Sequence, residues 1–298
     1  MSRALDWDTD GRIWPHRDAS RFANAGRARW HVQQMGTNGA PQALLLHGTG
    51  ASVHSWRGLM PILADHFDVT AMDLPRHAFT IGHPPEAMSL PAMAREIAQL
   101  VDHLELKPAI IIGHSAGAAL ALQLALDHEY RGPVVGLNSA LRPFPGPAAE
   151  IFPAIAKLLF VNPLVPRIFS GMATFRGEAK RFLYRSTHSQ IDQQGLACYE
   201  ALLGNPRHTK GALAMMANWD LPTLRRRMAE IANPVQLVHS DDDAAIPLDW
   251  AREAHEWLPT SDLAVLKGLG HLAHEEAPDR VVEHILRFAR DHAIAEVS

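Results

Sequence analysis

"IIIGHSAGAAL", residues 110–120, runs three β-branched residues into Gly113-His114-Ser115-Ala116-Gly117 and then into a series of small helix formers. A buried strand is ending here and a helix of low bulk is beginning, with a serine at the junction. Such a sharp strand-to-helix turn leaves no room for side chains on either side of its apex, which accounts for Gly113 and Gly117. The pattern is the G-x-S-x-G nucleophile elbow in the context it requires. Ser115 would project above a sheet at a helix N-terminus, where free N–H groups favour a developing oxyanion.

Outward from this stretch, short apolar runs alternate with segments of helical period. The runs are 42–48 (QALLLHG), 67–75 (FDVTAMDLP), 109–115, 133–140 (PVVGLNSA), 234–240 (PVQLVHS) and 262–270 (DLAVLKGLG). Helices are expected near 54–65, 90–104, 115–128, 248–258 and 277–292. This order predicts an α/β fold with a mostly parallel twisted sheet flanked by helices, and residues 20–35 read as an antiparallel hairpin at one edge. The alternation stops between 145 and 220, a stretch that opens on PFPGP and is helical wherever it is periodic. We therefore expect a core formed by 1–144 and 221–298, with 145–220 a helical cap inserted above the carboxyl ends of the strands, where open α/β sheets bind ligands.

A serine needs a base, and the base an orienting carboxylate. GLGHLAHEEAP places His271 after the run 262–270, and HSDDDAAIP places Asp241, Asp242 and Asp243 after the run 234–240. The chain order is then serine, acid, histidine. The residue after the nucleophile, Ala116, would supply one oxyanion N–H, and the loop LLLHGTGAS, with His47, Gly48 and Gly50, the other. That loop lacks the G-x-G-x-x-G pattern and Walker lysine of a phosphate-binding loop.

Composition narrows the classes further. The chain has 298 residues, 47% of them hydrophobic, and a net charge of -4, with no basic run longer than Arg225-Arg226-Arg227, read as a solvated helix face. This argues against nucleic acid as a partner. Cys198 is the only cysteine, so an intramolecular disulfide or a cysteine-based zinc site is excluded, and His271-x-x-His274 lacks the H-E-x-x-H form. No metal and no organic cofactor is expected. MSRALDWDTDGR has neither the basic start nor the apolar core of a signal peptide, and no stretch approaches the ~20 apolar residues of a membrane span. A cytoplasmic location follows, with IFPAIAKLLFVNPLVPRIF (151–169) leaving contact at a membrane surface open.

Taken together, these motifs resemble the α/β-hydrolase family over essentially the whole chain. In that family the acid commonly occurs as D-x-x-[VI]-P, which Asp243-Ala244-Ala245-Ile246-Pro247 matches, so the resemblance selects Asp243; the G-H pair selects His271 over His274. It also implies that Thr49 is the second oxyanion donor and that Gly48 and Gly50 permit close backbone approach. Since most histidines are not catalytic, His47, His77 and His114 are read as structural. A serine nucleophile implies acyl transfer, ester hydrolysis first, through a covalent acyl-enzyme.

A narrower resemblance is carried by DWDTDGRIWPHRDASRF, RWHVQQMG, LLLHGTGASVHSWRGLMPILA, DLPRHAFT and GHSAGAALALQLAL together. These look like the magnesium-chelatase accessory hydrolases of bacteriochlorophyll biosynthesis, with Arg76 and Ala78 departing from the usual DLPGHG. The resemblance implies a small acyl substrate, with a porphyrin ester a natural candidate, and a magnesium-chelatase complex as a candidate partner. The cap carries eight Lys/Arg against five Asp/Glu, with apolar Phe152, Phe160, Phe169, Met215, Met216 and Trp219. That mixture suits a flat, apolar, anionic ligand, or equally a cap packed on its core with its charges in water. One alternative function stays open: a non-catalytic tetrapyrrole binder or carrier.

Overall fold

The computed structural model describes residues 4–142 and 178–294. Eight strands form one sheet in the order β1-β2-β4-β3-β5-β6-β7-β8. The strands are β1 (Ser20–Ala25), β2 (Ala28–Met35), β3 (Gln42–Leu46), β4 (Asp68–Met72), β5 (Pro108–His114), β6 (Val134–Leu137), β7 (Val235–Ser240) and β8 (Ser261–Leu266). β1 pairs with β2, and β2 with β4, in antiparallel register; every other pairing is parallel.

Why the strands read as unbroken apolar runs is visible in where alternate residues go. Leu44, Leu46 and Ile111 pack on α2 (Leu90–His103) and α3 (Ala116–Asp127), whereas Ala43, Leu45, Ile110 and Ile112 pack on α1 (Leu59–Ala64) and α10 (Pro278–Asp291). Both faces of the sheet are covered, so both sets of alternating positions are apolar. The N-terminal segment joins the second of these clusters through Trp14, which is buried edge-on against Phe79.

The remaining helices among the described residues are α4 (Glu178–Thr187), α5 (Gln193–Leu203), α6 (Pro206–Ala217), α7 (Leu221–Arg227), α8 (Leu248–Trp257) and α9 (Ala273–Glu276). α5 packs against the 3-10 turns Asp10–Ile13 and Val53–Trp56, and α6 against the turn Pro85–Met88. No described helix is long and apolar enough to cross a membrane. Of the expected insertion, residues 145–177 and with them Phe152, Phe160 and Phe169 lie outside the described residues.

Several boundaries differ from the sequence reading. β8 stops at Leu266, because Asp241 accepts the Gly268 N–H and Gly268 turns the chain at φ +69°; His271 follows four residues of loop and not the strand itself. The helix expected over 54–65 divides into the turn Val53–Trp56 and α1. A one-turn helix, α9, precedes the final helix, and His274 belongs to it. The arginine triplet ends a surface helix as expected, with Arg225 over the Trp257 ring, Arg227 paired with Asp127 and Glu230, and Arg226 exposed.

Candidate active site

β5 and α3 meet at Ser115, whose backbone sits at φ +52° and ψ -114°, a conformation held against intrinsic preference. Its N–H donates to the Leu137 carbonyl at 2.9 Å, and its carbonyl accepts from Ala118 and Ala140. Both glycines are dictated by contact. A Cβ on Gly113 would lie 2.4 Å from the Gly117 carbonyl, and one on Gly117 only 1.9 Å from the Leu46 carbonyl of β3. Those neighbours are backbone and cannot swing aside. Gly117→Ala is therefore expected to destabilise the fold by about 3 kcal/mol or more, the upper range for overpacking. Denaturant unfolding measures it, and a variant within about 0.5 kcal/mol of wild type contradicts the contact.

Asp243, at the end of β7, is fully engaged. Oδ1 accepts the N–H groups of Ala245 and Ile246, each at 2.8 Å, which is the physical content of the D-x-x-I turn. Oδ2 accepts from Asn138 Nδ2 at 2.8 Å and from His271 Nδ1 at 2.7 Å. Burial alone would raise the Asp243 pKa; the His271 hydrogen bond and charge, the Ile246 N–H and the Asn138 amide outweigh it and hold the carboxyl below its usual range. Asp241 and Asp242 face elsewhere, toward Gly268 and His188.

His271 thus presents Nε2 away from the acid. Its ring packs on His114, with centroids 4.8 Å apart, and His114 Nε2–H donates to the His271 carbonyl at 3.0 Å. The elbow and the histidine loop are joined by this bond. The ring of His271 is hydrogen-bonded to Asp243 Oδ2 and not to the Ser115 hydroxyl.

The loop after β3 reaches the same place. A Cβ on Gly48 would stand 2.8 Å from His114 Nδ1 and 3.1 Å from Ser115 Cβ, so close approach needs the glycine. Gly50 differs from the expectation: a Cβ there meets nothing within 4 Å, and its requirement is the positive φ of +77°. His47 donates from Nδ1 to the Gly48 carbonyl and accepts the Leu74 N–H on Nε2. His208 similarly accepts the Ala78 N–H on Nδ1 and donates to the Gly50 carbonyl. The Thr49 hydroxyl donates to Met215 Sδ at 3.4 Å. Ala116 opens α3, where the first N–H groups have no partner within the helix.

Arg76 and Ala78 take φ of +62° and +40°. The backbone keeps the left-handed geometry that glycines would adopt easily, held by Phe79 N–H to Asp73 and Ala78 N–H to His208. Sequence reading missed Asn138 as a donor to the acid, together with Arg57, Tyr199 and Glu275. The Arg57 guanidinium bonds Glu275 and Asp192, and the Tyr199 hydroxyl donates to Glu275 at 2.7 Å. No local pattern marks these, because the partners are 218, 135 and 76 residues apart. A cavity of about 310 Å³ opens beside the 187–191 segment, lined by Leu183, Ile191, Leu196, Lys180, Ser189 and Gln190 among others.

Comparison with known proteins agrees with this architecture. A "Magnesium-chelatase 30 kDa subunit" from Rhodobacter capsulatus is 39% identical over 273 residues, covering 92% of this chain and 95% of the relative. An "Uncharacterized hydrolase YugF" from Bacillus subtilis is 24% identical, covering 85% and 91%. Among solved structures, an alpha/beta hydrolase fold protein from Burkholderia ambifaria superposes with a TM-score of 0.75 at 19% identity, covering 96% of this chain and 100% of the other. The family model described as "Alpha/beta hydrolase family" matches residues 43–284, and with the fold and the serine turn in place the chain belongs to that family.

Proposed function

We propose that the protein is a serine hydrolase acting on an acyl bond, an ester first, and that it does so alongside magnesium chelatase in bacteriochlorophyll synthesis. The observation that carries the chemistry is the fourfold-bonded Asp243 holding His271 Nδ1–H at 2.7 Å beside the strained turn of Ser115. In this reading Nε2 of His271 takes the Ser115 proton as Oγ attacks the acyl carbon. Asp243 stabilises the imidazolium and keeps its ring oriented. The N–H groups of Ala116 and Thr49 receive the oxyanion. His271 then protonates the leaving alcohol, and water repeats the sequence on the acyl-enzyme.

The pathway assignment rests on the relative from Rhodobacter capsulatus, whose name ties it to magnesium chelatase. A porphyrin ester is the substrate class that joins this name to the ester chemistry. We read 145–220 as the cap over the site, with 1–144 and 221–298 the core.

A fluorophosphonate probe tests the chemistry directly. The purified protein is expected to take up one equivalent, and the adduct is expected on the tryptic peptide that contains Ser115. Absence of an adduct at any pH between 7 and 9 removes the hydrolase reading in favour of a tetrapyrrole binder.

A further inference from the structure

Three consecutive N–H groups surround the His271 peptide, and none of them is satisfied by the sheet. His271 N–H donates to the Thr187 carbonyl at 2.8 Å, and Leu272 N–H to Ser189 Oγ at 2.8 Å. Gly270 N–H goes to Glu276 Oε2 at 2.9 Å, while Oε1 of the same carboxylate accepts the Gln190 N–H at 2.8 Å. The stretch 187–190 thus holds 270–272 both directly and through Glu276. The approach is close enough to require Gly270, since a Cβ there would lie 2.4 Å from the Thr187 carbonyl oxygen and 2.5 Å from Ser189 Oγ. That contact explains the glycine of the G-H pair.

The neighbouring glutamate extends the same joint inward. Glu275 is buried and bonded to Arg57 and Tyr199; Arg57 also donates from Nε to both Asp192 oxygens, at 3.1 and 3.2 Å. Asp192 in turn caps α5 through the Gly195 N–H. One turn of helix, α9, therefore carries two adjacent carboxylates with separate sets of partners. Both tie the residues after His271 to the segment between α4 and α5.

We propose that Thr187–Asp192 is the mount of the histidine, with Glu276 and Glu275 as positioning residues, so that seating of the helices α4 and α5 sets whether His271 is aligned with Asp243. The role assigned to His271 rests on the hydrolase reading above. The mount itself is independent of turnover and has a readout of its own.

The test compares wild type with Glu276→Ala, Glu276→Gln and Glu275→Gln. The first readout is the downfield proton resonance of the His271 Nδ1–H that bonds Asp243, assigned by its disappearance in His271→Gln. It is expected to broaden or vanish in Glu276→Ala while near-ultraviolet circular dichroism reports a folded protein. The second is turnover of p-nitrophenyl acetate at a temperature well below the melting transition. Glu276→Ala should lower kcat about tenfold or more with KM within about twofold, as misplacement of a reacting group does. Glu276→Gln keeps one acceptor oxygen and should recover part of that loss. If Glu275→Gln fails to fold, since it removes the buried charge opposite Arg57, the Glu276 pair carries the test. An unchanged resonance and unchanged kcat in Glu276→Ala, with only a lower melting temperature, overturn the proposal. A wild type that shows the resonance and its loss in Glu276→Ala but reacts with neither probe nor ester overturns the hydrolase reading and leaves the mount standing.

Discussion

Ser115→Ala is expected to lower kcat for a model ester by about 10⁶-fold, the scale seen when the nucleophile of a serine hydrolase is removed. Asp243→Asn should cost about 10⁴-fold by a different route. In the wild type Oδ2 of Asp243 accepts from two donors, His271 Nδ1–H and the Asn138 amide. If the carbonyl oxygen of the introduced amide stays on the Ala245 and Ile246 N–H groups, its NH₂ faces both of those donors. His271 can relieve one clash only by moving its proton to Nε2, which is then unable to accept from Ser115. The Asn138 amide keeps the other clash. The two variants therefore separate: Ser115→Ala should melt close to wild type, and Asp243→Asn should lose both turnover and stability. Rates with p-nitrophenyl acetate and thermal melts of the same preparations check this, and a Ser115→Ala protein that hydrolyses the ester at the wild-type rate ends the assignment.

The parts of this molecule that could be read from its residues are those in which cause and consequence are close in sequence. Strand placement came through because burial of both sheet faces makes the runs continuous, and the observed strands sit inside the expected runs to within a few residues. The elbow came through because its steric demand falls on Gly113 and Gly117, two positions either side of Ser115. Local chemistry also explains where reading went astray: the run DLAVLKGLG stays apolar enough to look like strand past Leu266, but Gly268 and the Asp241 side chain turn it. α7 came through only as the helix face of its arginine triplet, since its seven residues are too few for periodicity to register. What no pattern could supply is the set of partners brought together by the fold: Asn138 on Asp243, Arg57 on Glu275, and the 187–190 stretch on the His271 peptide. In Arg76 and Ala78 the departure from glycine was visible in the sequence, and the structure shows that the left-handed backbone persists regardless.

Buried histidines give the second large effect, a cooperative loss of stability on mild acidification. Burial lowers His114 and His208 to about 3, and His77 and His83 to about 4. His47, His54 and His274, also buried, are pushed well below the ordinary value, burial being the first cause in each. Hydrogen bonding shows why a proton is unwelcome at His47 and His208: each already uses one nitrogen as donor and the other as acceptor of a backbone N–H. The unfolded chain protonates all seven near 6.5, so between 6.5 and about 4 it binds more protons than the native state, and native stability falls as pH falls. Each of these histidines therefore weakens the native state as pH falls through this window, and all seven act in the same direction on a total stability of typically 5–15 kcal/mol. Asp243, whose pKa is lowered, contributes nothing to this window because its effect is lost only below the carboxylate range. Glu275, raised by burial, opposes the trend with at most one proton. Guanidinium unfolding at pH 7.5, 6.5 and 5.5 should therefore show a steep fall in stability, and His274→Phe, which removes a ring buried against Trp56 and His114, should reduce the slope by one proton. Stability constant within about 1 kcal/mol from pH 6.5 to 5.5 contradicts the burial of these rings in neutral form. Because His47, His208 and His114 frame the loop and the elbow around Ser115, acid unfolding of this region should set the acid limit of any ester turnover.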